Sequence, residues 1–185
     1  MAAKSARTKA QPDTTAELAS FFAKYEPAIA KLGNALRAKL RQRLPGLFEL
    51  VYFYERQGSL VIAYSPTERG AEGLCSIAVD ASGVKLYFGR GAELAKADPN
   101  QLLQGRAKQV RYVELRSAAE LDRPEIEGLI VAALELAQLR LDKSSAGATI
   151  SKAEEQKKRG ARRPKGARPK AARVKAPRGA KKARS

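Results

Sequence analysis

The sequence predicts an α+β domain: an antiparallel β-sheet of about five strands, with N-terminal and C-terminal helices packed on it, followed by a disordered basic tail. Three observations support this. Apolar residues recur with a helical period near both ends of residues 13–142. Between them run short segments rich in β-branched and aromatic residues, joined by tight glycine-containing turns. Beyond Asp142 the apolar pattern stops, and Lys, Arg, Ala, Pro and Gly take over.

Residues 1–12 are small and polar and are expected to be disordered. Asp13 and Thr14 are good N-cap residues, with Glu17 where a capping box places it. The helix they open carries Leu18, Phe21, Phe22 and Tyr25 at i, i+3, i+4 and i+7, and Pro27 breaks it near Glu26. A second helix is expected from about Ala28 to Arg43. Ile29, Leu32, Leu36, Leu40 and Leu44 form one stripe, Lys31, Arg37, Lys39, Arg41 and Arg43 lie off it, and Pro45-Gly46 is the stop.

Strands are expected at 47–55 and 59–65, joined at Arg56-Gln57-Gly58, and at 74–80 and 84–89, joined across Asp80-Ala81-Ser82-Gly83. Gly89-Arg90-Gly91 then leads into a helical turn ending near Asp98-Pro99. A Leu102-Leu103-x-Gly105 turn precedes a fifth strand at 108–116. Asp122 is expected to cap the last helix, with Pro124 in its first turn and Glu125 at the capping-box position. Ile126, Leu129, Ile130, Ala133, Ala137 and Leu141 form its stripe, and Leu134, Leu136 and Leu139 widen it. Such breadth suits deep burial or a homodimer contact through this helix, burial being the commoner use.

Charge is segregated along the chain. Residues 1–12 hold three basic and no acidic residues, and residues 13–142 hold seventeen of each sign. Residues 143–185 hold sixteen basic residues against Glu154 and Glu155. A neutral domain with a cationic tail points to a polyanion as the partner of the tail. A segment so charged and so poor in apolar residues cannot offset its ordering entropy, so disorder is expected over 143–185. No apolar run approaches the roughly 18 residues of a membrane span, and MAAKSARTKAQPD lacks the apolar core of a secretory signal. The expected compartment is the cytoplasm, with nucleoid association if the tail holds DNA.

Leu86-Tyr87-Phe88, Gly91-Ala92-Glu93-Leu94, Pro99, Leu102-Leu103-x-Gly105, Lys108, Arg111 and Leu121-Asp122-Arg123-Pro124 occur in an order that resembles the YdhG-like family of bacterial domains. The resemblance covers roughly 13–142 and implies the α+β fold above. One member of that family is described as a frataxin-like iron chaperone. That role needs clustered exposed carboxylates, whereas the first helices here are net basic and the chain has no His. The family often has a Gly-x-Gly-Lys turn where this chain has Gly105-Arg106-Ala107-Lys108. If the third position needs a left-handed backbone, Ala107 is a handicap. The tail composition is similar to that of linker-histone tails.

No catalytic set can be assembled. Cys75 has no His to activate it and reads as a buried small residue. Glu49 with Glu55, or Glu125 with Glu127, could be imagined as acid/base pairs, but strand-edge and helix-start roles account for them. Arg90, Arg106, Lys108 and Arg111 surround the Gly-rich turns and form a candidate anion site, although the turns match no phosphate-loop spacing. Tyr52-Phe53-Tyr54 could serve base stacking, core packing being the commoner use. The strongest signal is the tail. Lys157, Lys158, Arg159, Arg162, Arg163, Lys165, Arg168, Lys170, Arg173, Lys175, Arg178, Lys181, Lys182 and Arg184 are candidates for contact with DNA or RNA phosphates. No aromatic residue follows Tyr112, so the expected contact is to backbone, without sequence reading. No amphipathic helix or lipidation motif points to a membrane.

The sequence therefore predicts a non-catalytic protein without cofactor or metal, binding nucleic acid non-specifically through its tail. The alternative is a small-ligand, metal or protein-binding module whose tail only modulates solubility or location.

Overall fold

A computed structural model describes residues 14–144 and 147–152. The elements are α1 (Thr14–Phe22), α2 (Pro27–Arg43), β1 (Phe48–Tyr54), β2 (Ser59–Ser65), β3 (Cys75–Asp80), β4 (Gly83–Phe88), β5 (Arg111–Leu115), α3 (Pro124–Leu136) and β6 (Thr149–Ser151). Short 3-10 turns occupy Gly70–Glu72, Glu93–Ala97 and Ala118–Asp122. The sheet order is β5-β4-β3-β2-β1-β6. The first five strands form an antiparallel meander, and β6 joins β1 in parallel, making the sheet mixed.

Period-two patterning decides which face is covered. Leu60, Ile62 and Tyr64 of β2, Ile77 and Val79 of β3, and Val84, Leu86 and Phe88 of β4 are buried in one core. The same core includes Leu36 and Leu40 of α2 and Ile126, Leu129 and Ile130 of α3. Phe21 of α1 stacks on Phe53 of β1, with ring centroids 4.7 Å apart, and Lys24 lies over the Phe53 ring at 4.0 Å. The helices thus cover one face of the sheet. The apolar stripe of α3 is consumed by this core, while Val131 on the same helix is exposed.

Three expectations need correction. The folded part does not stop at Asp142: residues 147–152 continue it as β6. The edge groups of β1 explain this, because Glu49 N–H donates to Ala148 O at 2.9 Å and Lys152 N–H to Val51 O at 2.8 Å. Disorder expected from residue 143 is therefore contradicted over 147–152, whereas residues 1–12 and 153–185 lie outside the described residues.

Asp122 does not cap α3. It closes the 3-10 turn before the helix, and the N-cap is Arg123, without a side-chain cap bond. Its carboxylate is instead engaged by Lys39 and Arg43 of α2. The Lys39 hydrogen bond holds the Asp122 carboxyl below the usual carboxylate range. The same Arg43 donates to Leu121 O, tying α2 to the entry of α3.

The last helix also ends earlier than its apolar spacing suggests. It stops at Leu136, Gln138 adopts a left-handed φ of 53°, and Leu139 N–H returns to Leu134 O at 2.9 Å. Leu139 and Leu141 still pack against the core, from a loop.

Candidate nucleic-acid interface

The root of the basic tail is fastened by a buried carboxylate. Glu49 sits on the helix-covered face of β1 and is 1% exposed. A lone buried carboxylate would be costly, so its oxygens need donors. Arg37 Nε donates to Oε1 at 3.1 Å and its second nitrogen to Oε2 at 2.7 Å, a two-pronged pair. Arg41, one turn further along α2, reaches Oε2 at 3.2 Å, and Tyr64 Oη donates to Oε1 at 3.2 Å. Thr149 of β6 donates its Oγ1 to Oε2 at 2.7 Å. Arg41 also donates to Thr149 Oγ1 at 3.1 Å. The cluster joins α2, β1, β2 and β6 around one carboxylate. Burial, with the Glu49 charge beside it, drives the Tyr64 hydroxyl well above its ordinary pKa.

Among the described residues no α-helix packs on the opposite face of the sheet. By the strand register this face presents Tyr52 and Tyr54 of β1, Val61 and Ala63 of β2, Ser76 and Ala78 of β3, Lys85 and Tyr87 of β4, and Tyr112 of β5. Small side chains leave a concavity of about 330 Å³ over the middle strands, floored by Val61, Ala63, Ser76 and Ala78 and flanked by Tyr87 and Val110. Tyr87 and Tyr112 pack ring to ring, centroids 5.2 Å apart, and Lys85 Nζ lies 5.8 Å above the Tyr112 ring. At the other side Tyr52 and Tyr54 stand 6.4 Å apart with planes 21° from parallel. The Tyr52-Phe53-Tyr54 run is thus divided: Phe53 packs in the core and its neighbours face outward.

The candidate anion site is not a set of four free cations. Arg90 makes a two-pronged pair with Glu93, at 2.7 and 2.6 Å, and donates to Leu136 O at 2.9 Å. Arg111 donates to the carbonyls of Ala107 and Val110, folding the loop before β5. Arg106 and Lys108 are exposed on that same loop, whose Val110 flanks the concavity. The left-handed position of the turn is Gly105, with φ 110°, and Ala107 lies outside the left-handed region. Asp98 organises the preceding turn by accepting from Leu102 N–H at 2.9 Å and Leu103 N–H at 2.7 Å. The fourteen tail cations expected to meet phosphate, Lys157 to Arg184, lie outside the described residues.

Cys75 is buried, as its strand pattern predicts, and burial pushes its thiol up to about 12. Such a thiol carries almost no thiolate near neutral pH and is a poor nucleophile. Glu49 and Glu55 do not form an acid/base pair: one is buried under α2, the other exposed in the turn after β1. Glu125 and Glu127 are two apart on a helix and do not face each other. Among the described residues no group of three His, Cys, Asp or Glu side chains stands close enough to hold a metal ion. None of their helices is long and apolar enough to cross a membrane.

Two features escaped sequence reasoning. One is the Glu49 clasp, signalled by a carboxylate inside an apolar strand and by arginines at i and i+4 of α2. The other is the Tyr87–Tyr112 pair, which depends on the β4–β5 register. No known protein family, characterised protein or solved structure matches this chain.

Proposed function

We propose that this is a non-catalytic protein, with a domain of the YdhG-like kind, that binds DNA or RNA without sequence preference through its cationic tail. The observation that carries the reading is charge segregation. Fourteen Lys and Arg against two Glu follow Lys152, while residues 13–142 are balanced. Cationic side chains displace the counterions condensed on a nucleic acid, and the entropy of their release drives binding. The clasp at Glu49 supports this role, because it gives the tail a fixed point of departure at the edge of the sheet. The domain then acts as the body that the tail tethers.

The alternative, a ligand module built on Arg90, Arg106, Lys108 and Arg111, has less support, since two of its four cations already satisfy protein acceptors. A salt titration of the whole chain on a random-sequence duplex tests the proposal. With about 6–10 phosphate contacts, affinity should fall roughly 10³-fold or more between 50 and 200 mM salt. An affinity that is flat in salt would remove the counterion mechanism.

A further inference from the structure

We infer that the open face of the sheet takes the bases of a single-stranded nucleic acid, with Arg106 and Lys108 of the β5-side loop at its phosphates. This rests on the nucleic-acid reading above and names its substrate class. The occupant follows from what flanks the face. On one side Lys152, just after β6, is hydrogen-bonded to Val51 beside the strand that carries Tyr52 and Tyr54, and the cationic sequence begins from there. On the other side Arg106 and Lys108 are exposed in the loop whose Val110 flanks the concavity.

Between these cationic rims the surface is nearly neutral. The ionisable side chains that the register places on it are Asp80, Lys85 and Glu114, and Lys85 is 3.8 Å from Asp80. A neutral, aromatic strip between two positive margins suits bases in the middle and phosphates outside. Every base has a π-face, so stacking on tyrosine needs no sequence.

The spacing also suits a strand of nucleotides. Tyr54 is 38% exposed on β1, and the Tyr87–Tyr112 pair begins three strands away and four residues along the strands, about 20 Å at the usual strand dimensions. The small floor between them leaves room for bases to lie against the sheet. A duplex hides its base faces and offers this surface nothing, so a preference for single strands is expected.

Tyrosine fluorescence gives a direct test on the whole chain. There is no Trp, and four of the six tyrosines (52, 54, 87 and 112) lie on this face. The probes are an oligothymidylate and an abasic oligomer of equal length, which presents the same phosphates without bases. The expected result is fluorescence quenching by the oligothymidylate alone, with binding about tenfold tighter than to the abasic oligomer. Tyr54→Ala together with Tyr112→Ala should erase that difference, and the Tyr→Phe pair should restore it.

Equal, salt-sensitive binding of both oligomers without quenching would overturn this inference and leave the tail reading intact. Binding of neither would overturn both. A self-association that the tyrosine variants abolish, with no base-dependent binding, would assign the face to a second copy instead.

Discussion

Thr149 donates its hydroxyl to the buried Glu49 across 2.7 Å, joining the last described strand to the first. With the Lys152 N–H bond to Val51 O, it carries the packed domain ten residues beyond Asp142, where composition alone would end it. It adds a buried carboxylate contact to the backbone pairing that holds β6 on β1.

Glu49→Ala should therefore lower stability by about 3 kcal/mol, because it leaves the Arg37 and Arg41 guanidiniums and the Tyr64 hydroxyl without their shared acceptor. Both arginines are partly solvated, which keeps the loss below that of a fully buried pair. Urea denaturation measures it, and a change under 1 kcal/mol would contradict the clasp.

Thr149→Val should act locally. Losing one hydrogen bond costs about 1 kcal/mol, and the effect should appear as earlier proteolysis between residues 147 and 152. The midpoint of global unfolding should hardly move. Unchanged proteolysis would mean that backbone pairing with β1 alone holds β6.

Gly147→Ala should release β6 more severely, since an added Cβ would collide with the Leu47 carbonyl. Gly91→Ala should destabilise the domain by about 2 kcal/mol, its Cβ falling 2.8 Å from Arg111 N, a backbone atom that cannot swing away. Thermal unfolding of the two variants distinguishes a local from a global effect.

Cys75 supplies a pH prediction. Its folded pKa, about 12, lies above the ordinary thiol value of 9.0, because burial disfavours the thiolate. Unfolding near pH 9 thus releases a proton that the native state keeps. Stability should be full below pH 9 and fall as pH climbs from 9 toward 12, with Tyr64, also raised by burial, adding to the decline. At pH 8 the native thiol should resist alkylation, and urea should expose it. Rapid native labelling would refute its burial.

The sheet meander and α2 were legible in the sequence because each is specified locally. Period-two runs and glycine turns fix β1–β2 and β3–β4, and Pro27 and Pro45-Gly46 delimit α2. The end of α3 was not, since Leu139 and Leu141 keep an apolar spacing although they pack from a loop. Asp122 also misleads: it has the residue type of a cap, but Lys39 and Arg43, 83 and 79 positions earlier, claim its carboxylate.

Strand β6 was the least legible element. Thr149-Ile150-Ser151 is too short for a period to declare itself, and its partner lies 100 positions earlier at Glu49. The division of Tyr52, Phe53 and Tyr54 between two faces follows from alternation, but which face is covered depends on where the helices dock.

In the proposed function, nucleic-acid binding rests on the tail beyond Lys152. The most direct measurement compares the whole chain with one ending at Lys152, which keeps β6 and its clasp, on a random-sequence duplex at 50 and 200 mM salt. Tight, salt-sensitive binding by the whole chain and none by the shortened one is the expected result. Equal binding by the two would place the site in the domain and contradict the claim.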